Sequence, residues 1–253
     1  MDLLQLLGLG LAAAVAGAVN AVAGGGTLIT FPSLLAAGFS AKVANVTSTV
    51  AVWPGTIGGS FAYRREITER STRVKLLLVS SVSGGLVGSV LLLISSNEVF
   101  DAVVPFLIIF ASVMLALNSR LSSLAARHGL ASESESHIPL GMHIVMFFVG
   151  IYGGYFGAGL GILMLAAISI FAPDDLQHSN AVKGILGLFM NSVAVIVFSV
   201  FGPVQWLPAA VMAVGSLAGG YGGVSVARRL NSNVLRALIV CWGLFMGVRL
   251  LLT

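Results

Sequence analysis

Two clusters of glycine break a chain that is otherwise almost continuously apolar: Ala23-Gly24-Gly25-Gly26-Thr27 and Phe156-Gly157-Ala158-Gly159-Leu160-Gly161. Glycine adopts backbone conformations closed to other residues and leaves its N–H group uncovered. A helix starting at such a break directs its first unpaired N–H groups, and the positive end of its dipole, at the space ahead of it, which suits an anion. Polar residues follow each cluster: Asn45, Thr47, Ser48 and Thr49 after the first, Asn180 and Lys183 after the second. Asn180 and Lys183 are three apart and so share one helix face. The candidate anion-binding set is therefore Gly24, Gly25, Gly26, Thr27, Asn45 and Ser48 from the first half, and Gly157, Ala158, Gly159, Asn180 and Lys183 from the second. A plainer role is open to each. Small residues also permit close helix packing, which is enough to account for Gly84, Gly85, Gly88, Gly219, Gly220 and Gly223. Lys183 also suits snorkelling to a membrane surface beside Asp174 and Asp175.

Other chemistries find little support. There is no zinc-helix motif, nucleophile elbow or pair of carboxylates, and every Asp and Glu falls in a loop or at a segment end, so an enzyme is not expected. The phosphate-binding pattern G-x-x-x-x-G-K-S/T is absent, so energy would come from a gradient or a separate partner. Cys241, the single cysteine, lies inside an apolar run, and neither a metal nor a cofactor is expected. His143 and His178 stand isolated and read as structural, while Tyr152 and Tyr155 flank the second glycine cluster with hydroxyls able to donate. Trp53, Trp206 and Trp242 read as packing or interface residues.

The elements that must position these groups are membrane helices. Hydrophobic residues make up 57% of the chain and charged ones only 9%, with a mean hydropathy of +1.02. A soluble domain is about a quarter charged. Residues 3–41, 138–173 and 184–227 hold no Asp, Glu, Lys or Arg, and each stretch is long enough for two segments of about 20 residues. Hydropathy predicts segments at 3–23, 27–41, 43–63, 76–97 and 102–119, then at 138–156, 160–172, 184–201, 204–227 and 233–252. The runs are continuous rather than alternating, which excludes a β-barrel and predicts an all-α integral membrane protein. The net charge of +4 forms no separate basic domain, so the lipid bilayer rather than nucleic acid is the expected partner. No removable leader is expected, since Met1-Asp2-Leu3-Leu4 lacks a basic start.

The segments repeat. Gly17, Gly24 and Gly26 fall on Gly150, Gly157 and Gly159 at an offset of 133; from Asn45 onward the offset is 135, placing Asn45 on Asn180 and residues 84–88 on 219–223. This divides the chain into a first membrane repeat (1–118), a cytoplasmic linker (119–137) and a second repeat (138–253). Ten of the thirteen Lys and Arg lie in 64–75, 119–137 and 228–236, which the positive-inside rule places in the cytoplasm, with both termini outside. The halves are then inverted, the organisation typical of secondary carriers. The short second segments, ending near Pro32 and at Pro173, look like arms of glycine-broken helical hairpins.

Gly17-x6-Gly24-Gly25-Gly26, Phe31-Pro32-Ser33-Leu34-Leu35 and Ala44-Asn45-Val46-Thr47-Ser48, followed by Gly150-x6-Gly157-Ala158-Gly159 and Asn180-Ala181-Val182-Lys183, resemble the TauE/SafE-type sulfite exporter family over nearly the whole chain. The second repeat departs from the first at Leu165, which stands where Pro32 would align. The resemblance implies a multi-pass transporter of the bacterial inner (plasma) membrane carrying sulfite, thiosulfate, organosulfonates or other small anions. An anion channel is the alternative, with a membrane-embedded enzyme or accessory subunit behind it. The oligomeric state stays open, a homo-oligomer included.

Overall fold

The computed structural model describes residues 1–22, 25–128, 138–171, 174–227 and 232–252. Among them the only regular structure is helix. In the first half the elements are α1 (Leu3–Val22), α2 (Thr27–Ala36), α3 (Ala41–Ala62), α4 (Arg64–Glu69), α5 (Ser71–Ile94) and α6 (Asn97–His128). In the second they are α7 (Leu140–Tyr155), α8 (Leu160–Phe171), α9 (Leu176–Phe201), α10 (Trp206–Ala227) and α11 (Ser232–Leu252). Four of these, α1, α5, α6 and α9, are long and apolar enough to cross a membrane. Helix α2 has 10 residues and α8 has 12, or roughly 15–18 Å of rise at 1.5 Å per residue, about half of a bilayer core. Leu3, Leu7 and Leu11 on α1, Ile94 on α5, and Val200 and Phe201 on α9 are exposed, as side chains facing hydrocarbon should be.

Packing joins one half to the other in matched pairs. Helix α1 lies along α10 and α7 along α5; α3 also packs on α10, and α9 on α5. The match extends to single residues. A Cβ at Gly17 would run into the Ser216 carbonyl, and one at Gly150, its counterpart, would meet the Ser81 carbonyl, the counterpart of Ser216, at 2.7 Å. Gly84 backs onto Phe147 just as Gly219 backs onto Ala14. These glycines let backbones touch, so the packing role accounts for them. Where equivalent helices meet, they run antiparallel. Along α3 and α9, Val46 adjoins Gly202, the Trp53 indole donates to Ser192 Oγ at 3.0 Å, and Ser60 adjoins Gly184. Along α6 and α11, Ser112 adjoins Gly243 while Ile109 adjoins Gly247.

Three boundaries differ most from the sequence expectation: α6 runs from Asn97 to His128 where 102–119 was expected, so the helix enters the residues read as the linker. Residues 64–75, expected as a loop, form α4 and the first turn of α5; Arg64, Arg65 and Lys75 are exposed while the backbone stays helical. Helix α9 begins at Leu176 rather than 184, because the Asp175 carboxylate accepts from the N–H groups of Gln177 and His178 and caps it. Arg70 donates from Nε to Asp174 at 2.5 Å, and Arg73, nearly buried, donates to the same carboxylate at 3.1 Å. His178 bridges Asp175 and Glu69. Burial would raise the Asp174 carboxyl; the hydrogen bond and charge of Arg70, aided by the Asp175 N–H and Arg73, outweigh it and hold it below the usual carboxylate range. At the far end, the Lys42 ammonium donates to the Leu93 and Ser95 carbonyls at the C-terminus of α5, where a cation is favoured.

Candidate functional site

A cavity of about 140 Å³ lies where the two hairpin tips approach α3 and α9. The first tip contributes Gly25 and Thr27, and the second Phe156, Gly157, Leu160 and Gly161. Both tips are built on left-handed glycines, Gly25 at φ 115°, Gly157 at 76° and Gly159 at 70°, conformations that disfavour a side chain. One wall is α3 from Thr49 to Ser60, with Tyr63 just beyond its end, and Pro54 withdraws a backbone donor in mid-helix; the other is α9 from Asn180 to Asn191. The cavity thus extends toward the end of the bundle that carries Arg70, Arg73 and Asp174. At the opposite end Phe31 and Phe156 meet edge to face at 5.5 Å, and with Val46, Phe100 and Phe198 they are buried to 2% exposure or less.

Of the expected site residues, Gly25, Thr27, Gly157, Asn180 and Lys183 share this cavity. Lys183 Nζ donates to Asn180 Oδ1 at 2.9 Å, and among the described residues no carboxylate lies within ion-pair distance of it. Asp174 and Asp175 are engaged by Arg70, Arg73 and His178, so the snorkelling alternative finds its anions already paired. The remaining expectations fall elsewhere. Asn45 is buried at the sealed end with Nδ2 donating to the Tyr155 carbonyl at 2.9 Å. Ser48 shares a hydrogen bond of 2.6 Å with Thr30, also buried. Gly26, Ala158 and Gly159 shape the tips behind the cavity wall; the Tyr152 hydroxyl donates to the Ala158 carbonyl at 2.5 Å. Gly24 lies outside the described residues.

The cavity also holds residues that sequence reasoning passed over: Asn20, Thr56, Ser60, Tyr63 and Asn191. Buried Ser60 Oγ has no hydrogen-bond partner among the described residues, which costs free energy unless something in the cavity supplies one. The available signal was the isolated Asn, Ser or Thr inside an apolar helix, since polar side chains at membrane depth face protein or a watery space. The lining carries one ammonium, several amides and hydroxyls, and no carboxylate among its described residues; the hydroxyls of Thr49 and Thr56 already donate to the Asn45 and Trp53 carbonyls. Helices α2 and α8 both present their N-termini to it.

The sequence profile of the sulfite exporter TauE/SafE family matches residues 9–250. The chain belongs to that family. Members of it are membrane transporters, and so is this chain. A probable membrane transporter protein of Haemophilus influenzae is 25% identical over 236 residues, covering 93% of this chain and 90% of the relative. The probable membrane transporter protein YfcA of Escherichia coli K12 is 27% identical over 240 residues, covering 94% and 87%. A probable membrane transporter protein of Sinorhizobium, ORF9, is 25% identical over 241 residues, covering 95% and 90%. No solved structure matches the chain.

Proposed function

We propose that the protein is a secondary carrier of small anions, of the class of sulfite, thiosulfate or organosulfonates, working by alternating access. The observation that carries this is the meeting of both hairpin tips and the Lys183 ammonium at one cavity with no carboxylate among its described lining residues. An ammonium with no carboxylate partner among the described residues, and the α8 N-terminus whose Gly161 N–H meets no acceptor there, support an anion as the occupant. Equivalent helices that cross antiparallel favour the inverted-repeat reading: if the halves exchange conformations, the sealed end near Val46 and Phe198 opens and the Lys183 end closes. The positive-inside rule assigns the Arg70 end to the cytoplasm, so the cavity faces inward in this conformation. An impermeant thiol reagent should therefore spare a cysteine introduced at Ser71 in intact cells.

The deciding experiment is flux into proteoliposomes with sulfite, thiosulfate, organosulfonates, sulfate and short carboxylates. Saturable uptake of one anion, accelerated by the same anion preloaded on the other side, is the expected outcome. Flux that never saturates and shows no counterflow would replace the carrier with a channel, and flux of none of these anions would end the anion reading.

A further inference from the structure

We propose that Asn20 is a substrate-binding residue, its amide oxygen holding the first hairpin tip and its amide nitrogen donating to the transported anion; this rests on the anion reading above. Asn20 lies near the end of α1, within the cavity lining. Its Oδ1 accepts from the Gly25 N–H at 3.1 Å and from the Gly26 N–H at 2.7 Å. Two backbone donors on one amide atom fix that atom as the oxygen, so the other is the NH2 group. The Nδ2 group has no acceptor among the described residues, and with the oxygen committed it is the part of the side chain left to meet whatever enters the cavity. A Cβ at Gly26 would come within 2.8 Å of Nδ2, so glycine at 26 keeps the amide in place.

The consequence is an asymmetry between the tips. The N–H groups of Gly25 and Gly26, which the sequence offered as anion ligands, are already satisfied by Asn20. At the second tip, the offset of 133 places Gly153 where Asn20 stands, and no side chain there can do the same. Among the described residues the N–H groups of Ala158, Gly159 and Gly161 meet no acceptor. The first tip therefore presents a side-chain amide to the anion, and the second presents the Gly161 N–H, the one of these three that lines the cavity, together with Lys183.

Asn20→Asp separates this role from a merely structural one. A carboxylate accepts the two glycine N–H groups at least as well, but it removes the donor and puts a negative charge on the cavity wall. Sulfite and methanesulfonate serve as probes, with affinity measured by calorimetry on purified protein alongside thermal unfolding. The expected result for Asn20→Asp is unfolding at the native temperature with affinity lower by tenfold or more, whereas Asn20→Ala loses both stability and affinity. Native affinity in a folded Asn20→Asp would reduce Asn20 to a cap of the tip and overturn the proposal. Should that variant not fold, hydrogen exchange in the native chain decides. Exchange across 18–30 should slow when the bound probe is added, and slowing confined to 156–162 would overturn the assignment. A native chain that binds neither probe would overturn the anion reading itself, and Asn20's role with it.

Discussion

Replacing Lys183 with Met removes the ammonium while keeping a flexible apolar stem of similar length, so the cavity wall changes little in shape. Among the described residues Nζ is bonded only to the Asn180 amide oxygen, at 2.9 Å, and no carboxylate there neutralises it, so on the anion reading an entering anion would be its counter-ion. A hydrogen bond to a charged group contributes about 1.5–3 kcal/mol. At about 1.4 kcal/mol per factor of ten, that predicts roughly tenfold to 150-fold weaker binding. Asn180 loses a partner in the variant but borders the cavity, where water replaces it at little cost. Lys183→Arg should recover only part of the loss, since a planar fork is larger and aims its donors differently. The assay is the dissociation constant for sulfite of the purified variants, after matching elution profiles show equal folding. A value for Lys183→Met within twofold of native would refute the reasoning and leave the tips and neutral amides to hold the anion alone.

Gly25→Leu should abolish flux while leaving membrane insertion intact, because its φ of 115° and its place on the cavity wall both exclude a side chain; normal flux would reduce the tip to a packing device. Gly84→Ala should lower the unfolding temperature, since its Cβ would overlap the Phe147 carbonyl and overpacking costs roughly 1–3 kcal/mol, whereas Gly222→Ala, with open space around it, should be silent. The reverse order would contradict the helix contacts described above. The Asp174 carboxyl is held below its ordinary range, so its contribution to stability is complete above the unfolded pKa and is lost as pH falls through the lowered folded value. Asp174→Asn should therefore unfold at lower temperature at pH 7 and lose less on acidification than the native chain; equal acid sensitivity in the two would count against the Arg70–Asp174 link.

Much of the fold was legible because close backbone contact demands glycine at particular places. Gly17, Gly84, Gly150 and Gly219 repeat in register since each sits against a carbonyl that a methyl group would strike. The start of α9 was misplaced because Asp174 and Asp175 read as loop charges, while Asp175 acts as a cap that carries the helix back to Leu176. Asn20 went unnoticed for the opposite reason, a single amide within an apolar run, with nothing local to show that its oxygen folds back on residues 25 and 26. Asn45 and Asn180 are equivalent in the repeat, yet one is buried at the sealed end and the other lines the cavity. A repeat alignment cannot distinguish them, because it compares residue types and not the surroundings that each half meets.

The pairing of α1 with α10 and of α7 with α5 has a historical consequence. The most intimate helix contacts in the molecule are between the halves, so neither half buries its glycine face unaided. An ancestor with a single unit would have met the same need by associating with a second copy inserted the opposite way up. Such a polypeptide would have carried little orientation bias. On the inverted-repeat reading, fusion would have ended that indifference, and the arginines concentrated in 64–75 and 228–236 are the residues that would then commit the two units to opposite directions.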